Sequence, residues 1–319
     1  MSKIGEWTEK VKIVKDNLKY YNFVTEDGEV VRLHDKSIEE LAMGTVNMSE
    51  ELKGNKTDKQ LEIAKAIAER TEFENILIEE CGSFYFNFYG RLASTIDNPA
   101  MLFRFLYLCT YMNYDGYLSD GRRLIKADGL KELLRLKDRE FYETKKYLLS
   151  NNLISIDDKI VVSINANYCK KGKVNKIGKI EVIRMFNNAI RGLYEKSLPR
   201  EHKKLALLVK LLPYLNFKHN IICKNTDCEY KEYIEPYSLP ELAELLGYGR
   251  TNTTKLKKDL FKLRFDNELV IGIFECDNGK FIYVNPKVMY KATNSILEFR
   301  EAVDMFKNES DLFTVGSLR

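Results

Sequence analysis

The densest group of candidate ligand-binding side chains lies in residues 250–264. Basic and short polar residues alternate there, and the candidate contacts are Arg250, Thr251, Asn252, Thr254, Lys255, Lys258 and Lys262. The segment has six Lys and Arg against one Asp, a net charge of +5. Such a row of cations neutralises phosphates and releases their counterions, and short polar side chains can reach base edges. The pattern indicates contact with duplex DNA; the alternative is an ordinary helix with a solvated lysine face.

Two short helices and a tight turn are the elements that would position this row. The segment LPELAELLGY (239–248) is amphipathic, and Pro240 suits the first turn of a helix. Gly247 supplies the positive φ that ends this helix. The side chains that it is predicted to bury are Leu242, Leu245 and Leu246. Asn252, Thr253 or Thr254 can cap the next helix. The residues predicted to face the core from that helix are Leu256, Leu260 and Leu263.

A β-hairpin follows the two helices in the segment NELVIGIFECDNGKFIYVNPKVMYKAT (267–293). Two β-rich runs flank a polar turn, and Lys280, a further candidate DNA contact, lies just after that turn. Two short helices and a hairpin in this order predict a winged helix-turn-helix, in which the second helix reads the DNA groove and the hairpin is the wing.

The same order of elements occurs earlier in the chain. The segment NNLISIDDKIVVSINANYCKKG (151–172) has the same strand–turn–strand pattern. Helices are predicted before it at 99–112, 128–136 and 138–154, and their counterparts lie at 201–215, 240–248 and 252–270. This agreement predicts a duplicated domain, so the expected fold is α+β, mainly α, with tandem winged helices. The alternative is a chance likeness between two helical bundles with hairpins.

The two predicted modules differ in charge. The candidate DNA contacts of the first reading helix are Arg139, Lys145 and Lys146. Three carboxylates between residues 138 and 147 offset them, so this helix has no net charge. The first module is expected to bind DNA through its shape or its wing, or not at all. It could instead form a homodimer interface, for which Phe141 and Tyr142 are suited.

The segment that connects the two modules (168–186) is strongly basic. Its cations are Lys170, Lys171, Lys173, Lys176, Lys179 and Arg184, against the single acid Glu181. Lys170, Lys171 and Lys173 are candidate DNA contacts, because a basic connector can follow the phosphate backbone between two grooves. The alternative is a solvated linker that lysine keeps soluble.

Charge is unevenly distributed along the 319 residues. Residues 1–80 contain 12 Lys and Arg against 18 Asp and Glu, a net charge of −6, and the remainder carries 39 against 29, or +10. A basic C-terminal part indicates a polyanionic partner. The acidic part is predicted to form a β-hairpin or meander at 9–33 and a helix at 57–80. It could serve as a dimerisation cap, or as a docking surface for a helicase loader or polymerase.

Four segments are predicted as structural units: an N-terminal β/α segment at 1–80, winged helices at 81–180 and 181–295, and a C-terminal helix and tail at 296–319. No apolar run approaches the ~20 residues of a membrane span, and the N-terminus lacks the apolar core of a signal peptide. Six dispersed cysteines are typical of reduced thiols. A cytoplasmic protein without membrane contact is therefore expected.

Recognisable metal and catalytic motifs are missing from the sequence. His219, Cys223 and Cys228 give one C-x4-C pair with one histidine, whereas a structural zinc site usually has two such pairs. A turn inserted relative to the first module explains these residues without metal. Phosphate-binding glycine loops, HExxH and GxSxG are absent, and the three histidines are dispersed. We therefore expect no enzyme activity, no metal and no cofactor.

The segments YSLPELAELLGYGRTNTTKLKKDLFKLR (237–264) and GKFIYVNPKVMYKAT (279–293) resemble the winged-helix replication initiators of Gram-positive plasmids and phages. In that family an Asn-Pro followed by an aromatic residue closes the wing, whereas the first module has SINANYCKKG without the proline. The resemblance covers about a third of the chain. It implies a replication initiator that binds origin repeats on double-stranded DNA. A transcriptional repressor of a mobile element, and an interaction scaffold that does not bind DNA, stay open as alternatives.

Overall fold

The computed structural model describes residues 12–16, 20–24, 30–34, 58–172, 174, 182–276, 279–291 and 296–313. Helices alternate with small antiparallel sheets, in agreement with the α+β prediction. The chain divides into two compact units, Met1–Ala68 and Glu69–Arg319. This division differs from the boundary predicted after residue 80, because one helix runs through both positions.

The first unit contains a three-stranded antiparallel sheet, which confirms the meander predicted at 9–33. Its strands are β1 (Lys12–Asp16), β2 (Tyr20–Val24) and β3 (Val30–His34), in that order across the sheet. Helix α1 (Asp58–Cys81), predicted at 57–80, begins in the first unit and ends in the second. In its second part it buries Phe73 and Leu77 in the main core.

The first half of the second unit follows the predicted order of elements. It consists of β4 (Phe84–Asn87), α2 (Tyr89–Thr95), α3 (Pro99–Cys109), α4 (Leu130–Leu134), α5 (Asp138–Ser150), β5 (Ile154–Ile156), β6 (Val162–Ile164) and β7 (Cys169–Lys170). Helix α3 begins where the side chain of Asn98 accepts hydrogen bonds from the N–H groups of Ala100 and Met101, at 3.0 and 3.3 Å. Pro99 lies at its first position, where a missing N–H costs nothing.

The second half repeats this order with more elements. They are β8 (Ile183–Phe186), α6 (Asn187–Glu195), α7 (His202–Leu205), α8 (Leu207–Leu211), α9 (Leu239–Leu245), α10 (Thr253–Phe261), β9 (Arg264–Phe265), β10 (Glu268–Leu269), β11 (Ile271–Cys276), β12 (Gly279–Val284), β13 (Met289–Tyr290) and α11 (Ile296–Phe313). The single helix predicted at 201–215 is instead divided between α7, α8 and a 3-10 turn, Leu212–Tyr214. Pro213 lies in that turn and cannot donate the N–H bond that continues an α-helix.

One sheet joins the two halves, in the order β13-β8-β4-β7. At its centre β4 pairs antiparallel with β8, so that Phe84 lies opposite Phe186 and Tyr85 opposite Met185. The N–H of Phe88 donates to the carbonyl of Tyr168, and the N–H of Phe186 donates to the carbonyl of Val288, so equivalent residues of β4 and β8 are 98 apart. The pairing is therefore symmetric about the Phe86–Arg184 pair. The boundary predicted after residue 180 falls between segments that share this sheet and one hydrophobic core.

An asparagine closes each hairpin in the same way. The Nδ2 group of Asn165 donates to the carbonyl of Asn152 at 2.7 Å, and that of Asn285 donates to the carbonyl of Leu269 at 3.0 Å. Each Oδ1 accepts the N–H two residues later, from Asn167 at 3.0 Å and from Lys287 at 2.9 Å. The proline present only in the second copy is therefore not needed for the closure.

A third segment also pairs with each hairpin. The N–H of Leu118 donates to the carbonyl of Val162, and the N–H of Ile222 donates to the carbonyl of Ile282, both at 2.8 Å. These segments lie between the first and second helices of each copy. The two halves thus share their helix order, their hairpin and the pairing between the hairpin and a preceding segment.

Candidate nucleic-acid interface

Helix α9 and the turn after it hold helix α10 in place. Ser238 and Glu241 form a reciprocal capping box at the start of α9, a Ser-x-x-Glu signal that is readable in the sequence. Gly247 ends the helix with φ of 80°, as predicted. In the first half Arg135 takes the equivalent left-handed position, with φ of 51°. Leu242 and Leu246 are buried as predicted, but the prediction is wrong for Leu245, which is 37% exposed.

The inward face of α10 carries its apolar side chains and its one carboxylate. Leu256, Leu260 and Leu263 are buried, as predicted. Asp259 is buried with them and accepts hydrogen bonds from Lys204 Nζ and from the Tyr248 hydroxyl, both at 3.1 Å. Burial acts to raise the pKa of Asp259, but these hydrogen bonds outweigh it and hold the pKa below its ordinary value. The one carboxylate of α10 therefore faces away from solvent, and the Lys204 ammonium group neutralises its charge.

The outward face of α10 is basic. The candidate residues Arg250, Thr251, Asn252, Thr254, Lys255, Lys258 and Lys262 are all exposed. Lys257, which the sequence patterns did not single out, is exposed beside them. Within the described ranges none of the four lysines of this segment forms an ion pair. The structure thus brings the predicted group together as a surface of free ammonium groups and short polar side chains.

Asn252 occupies the N-cap position of α10 but does not cap it through its side chain. Its backbone, at φ −87° and ψ 36°, lies outside the extended region that a capping side chain needs. The Nδ2 group instead donates to the carbonyl of Tyr248 at 2.7 Å. The capping interpretation of Asn252 is therefore wrong, and its carboxamide is tied to the turn before the helix.

The second hairpin places Lys280 close to its turn. Lys280 lies opposite Glu275 across β11 and β12 and forms an ion pair with it. Both side chains are largely exposed, so the pair is weak, but Glu275 reduces the charge that Lys280 presents. This contrasts with the lysines of α10, which have no such partner in the part of the chain that the structure describes.

The first candidate reading helix, α5, has a mixed surface. Arg139 pairs with Glu143 at 3.0 Å, Lys146 is exposed, and Lys145 is half-buried. Tyr142 is 66% exposed, whereas Phe141 is buried in the core. The homodimer interpretation is therefore wrong in its use of Phe141, since a helix cannot present neighbouring residues 141 and 142 on the same face.

The connecting segment is only partly available to a ligand. Lys170 is exposed and Lys171 is half-buried, while Lys173, Lys176 and Lys179 lie outside the described residues. Arg184, counted with the connector's cations, is buried in β8, where its guanidinium faces Glu74 at 3.5 Å and lies 5.4 Å from the Phe86 ring. Burial lowers the pKa of Arg184, with the Glu74 carboxylate opposing that effect. The prediction that Arg184 belongs to a basic surface along the DNA backbone is therefore wrong, because Arg184 lies in a central strand of the shared sheet.

The cysteine-containing insertion is held by hydrogen bonds within itself. Cys223 is buried, and the Cys228 thiol donates to the carbonyl of Tyr230 at 3.3 Å. The His219 ring Nε2 lies 3.0 Å from the carbonyl oxygen of Glu229. No group of three or more His, Cys, Asp or Glu side chains with metal-binding geometry occurs among the residues whose positions are described.

No family model, curated protein or solved structure matches the chain. None of the helices described here has the length and apolarity that crossing a membrane requires. Only the geometry described above therefore supports the candidate interface.

Proposed function

We propose that the protein binds double-stranded DNA sequence-specifically through tandem winged helices in residues 84–290, with α10 as the main reading helix. The support is the repeated arrangement of a helix, a hairpin-paired β segment, two short helices and an asparagine-closed hairpin. In winged helices the second short helix enters the major groove. Helix α10 is the second short helix of the second copy, which supports this assignment.

The observation that carries the proposal is the division of charge on α10. Four exposed lysines lie on or directly after this helix, while Asp259 is turned inward and neutralised by Lys204. A lysine face that served only solubility would not require its one acid to be buried and paired. Phosphate contacts gain from this arrangement, because no carboxylate faces the DNA backbone from the helix.

The biological role that we propose is initiation of replication at origin repeats. It rests on the resemblance of residues 237–264 and 279–293 to plasmid and phage initiators. On this proposal the protein binds several direct repeats beside an AT-rich tract. Residues 1–80, which are acidic, would then be the surface for a helicase loader or polymerase.

Fluorescence anisotropy with mixed-sequence duplex DNA at two salt concentrations tests DNA binding. Each phosphate contact should contribute a slope of about −0.9 to the plot of log K against log salt. Binding that is absent, or that does not weaken with salt, would contradict the proposal and favour an interaction scaffold. Sequencing of fragments selected from the parent replicon then tests the role. If the selected fragments contain a single palindrome over a promoter, the role is that of a transcriptional regulator and not that of a replication initiator.

A further inference from the structure

Two cations from opposite halves of the repeat lie against the same turn after helix α3. The ammonium group of Lys171 lies 5.3 Å from the centre of the Tyr114 ring, and the Arg191 guanidinium lies 3.9 Å from that of Tyr111. Gly172 permits this approach, since a Cβ at that position would come within 3.0 Å of the Tyr114 ring. Lys171 and Arg191 are both half-buried.

Arg191 is fixed in orientation. Its Nε donates to Thr110 Oγ1 at 2.9 Å, and its Nη2 donates to the Thr110 carbonyl at 2.6 Å. Within the residues that the structure describes, its Nη1 has no hydrogen-bond partner. A guanidinium held along one edge and over one ring leaves its remaining donors in a fixed direction.

Neither cation forms an ion pair in the described parts of the chain. The other half-buried or buried arginines of the described residues behave differently. Arg70 pairs with Glu74 at 3.1 Å, and Arg104 with Glu140 and Arg184 with Glu74, both at 3.5 Å. Burial, and then the charge of Arg191, lowers the pKa of Lys171. Two like charges that are partly withdrawn from water repel each other, and a bound anion would relieve that repulsion.

We propose that Lys171 and Arg191 form a phosphate-binding site on the turn 110–114. The planar guanidinium offers directed donors, and the ammonium group adds a point charge, a combination that suits a tetrahedral oxyanion. The exposed ammonium of Lys170, the preceding residue, increases the local positive charge. The phosphate is either that of a DNA backbone or a free phosphate. The site is separate from α10 and does not depend on its reading role.

Thermal unfolding of the full chain in sodium phosphate, against sodium chloride of equal ionic strength, tests the site. Phosphate should raise the Tm of the wild type in a saturable manner, because a ligand that binds only the folded state stabilises it. Lys171→Gln should weaken the apparent affinity for phosphate about tenfold or more, since a charge-assisted hydrogen bond is lost. Lys171→Arg should retain most of the response. Lys196→Gln, which removes an exposed charge from the end of the same helix as Arg191, is the matched control.

Salt-dependent DNA binding of the same variants distinguishes the two sources of phosphate. If a backbone phosphate occupies the site, Lys171→Gln should reduce the salt slope by about 0.9. An unchanged slope with a lost phosphate response assigns the site to free phosphate. A wild-type Tm that rises no more in phosphate than in chloride, or a Lys171→Gln protein with the full response, would overturn the proposal. Substitutions in α10 that abolish DNA binding should leave the phosphate response intact, which separates this site from the reading helix.

Discussion

Tyr85 and Met185 lie opposite each other at the centre of the sheet that joins the two copies, with the Tyr85 hydroxyl 3.5 Å from Met185 Sδ. The same hydroxyl donates to the carbonyl of Leu106 at 3.0 Å. Both residues are buried. The two copies therefore meet through a packed and hydrogen-bonded pair, and they should unfold together.

Substitution of Tyr85 tests this cooperativity. Tyr85→Phe should lower the unfolding free energy by about 1 kcal/mol through the lost hydrogen bond, and Tyr85→Ala by about 3–5 kcal/mol through the cavity. Urea unfolding followed by circular dichroism should show one transition for Glu69–Arg319 that shifts as a whole. Tyr142→Phe, at an exposed position, should change nothing. Two transitions, of which only one moves, would show that the copies are independent.

Charge reversal on α10 tests the reading helix. Lys255→Glu with Lys258→Glu should weaken binding to any duplex by tenfold or more, given about 1–3 kcal/mol for lost direct contacts. Lys196→Glu with Lys203→Glu makes the same change in net charge at two exposed positions outside the candidate interface. Fluorescence anisotropy should separate the two double variants. Equal binding by both would remove α10 from the interface.

Asp259 should make stability depend on pH in the acid range. Its folded pKa is below the ordinary 3.8, so its contribution is present above that pH and is lost as the pH falls through the folded pKa. Asp259→Asn should cost about 1 kcal/mol at pH 7, because the partner Lys204 is partly exposed. The difference in urea midpoint between the wild type and the Asp259→Asn protein should shrink as the pH falls. Asp304→Asn, at an exposed site, is the control; a pH-independent difference would contradict the assignment.

The two turns that end α4 and α9 give a matched pair of backbone substitutions. Gly247→Ala places a Cβ in open space, so its expected cost of about 1–2 kcal/mol comes from the left-handed backbone alone. Arg135→Gly, at the equivalent position of the first copy, should relieve the same strain and stabilise by up to about 1 kcal/mol. Thermal unfolding measures both. A stabilised Gly247→Ala protein would contradict the equivalence of the turns.

Local patterns in the sequence predicted most helices and both hairpins, because apolar spacing and turn residues act over a few positions. They placed Leu256, Leu260 and Leu263 on the buried side of α10. The burial of Arg184 and the pairing of Lys204 with Asp259 were not predictable in this way. Both depend on contacts between residues far apart in the chain, which periodicity does not encode.

The facing ends of helices α9 and α10 were also beyond local reasoning. Leu245 follows the apolar spacing of α9, yet the face that this segment buries consists of Leu242, Ala243 and Leu246, and Leu245 is turned away from it. Asn252 has the residue type of a helix cap, but its backbone conformation prevents that role. Residue type thus indicated where the candidate interface lies, while backbone geometry decided which side chains it presents.

The asparagine closures have a consequence for how the copies can diverge. Each fixes the base of its hairpin and the direction in which the chain leaves for the central sheet. Strands beyond that point can therefore lengthen without disturbing the rest of the molecule. The first hairpin has strands of three residues and the second has strands of six. The length of each hairpin can thus vary while the geometry at its base stays the same.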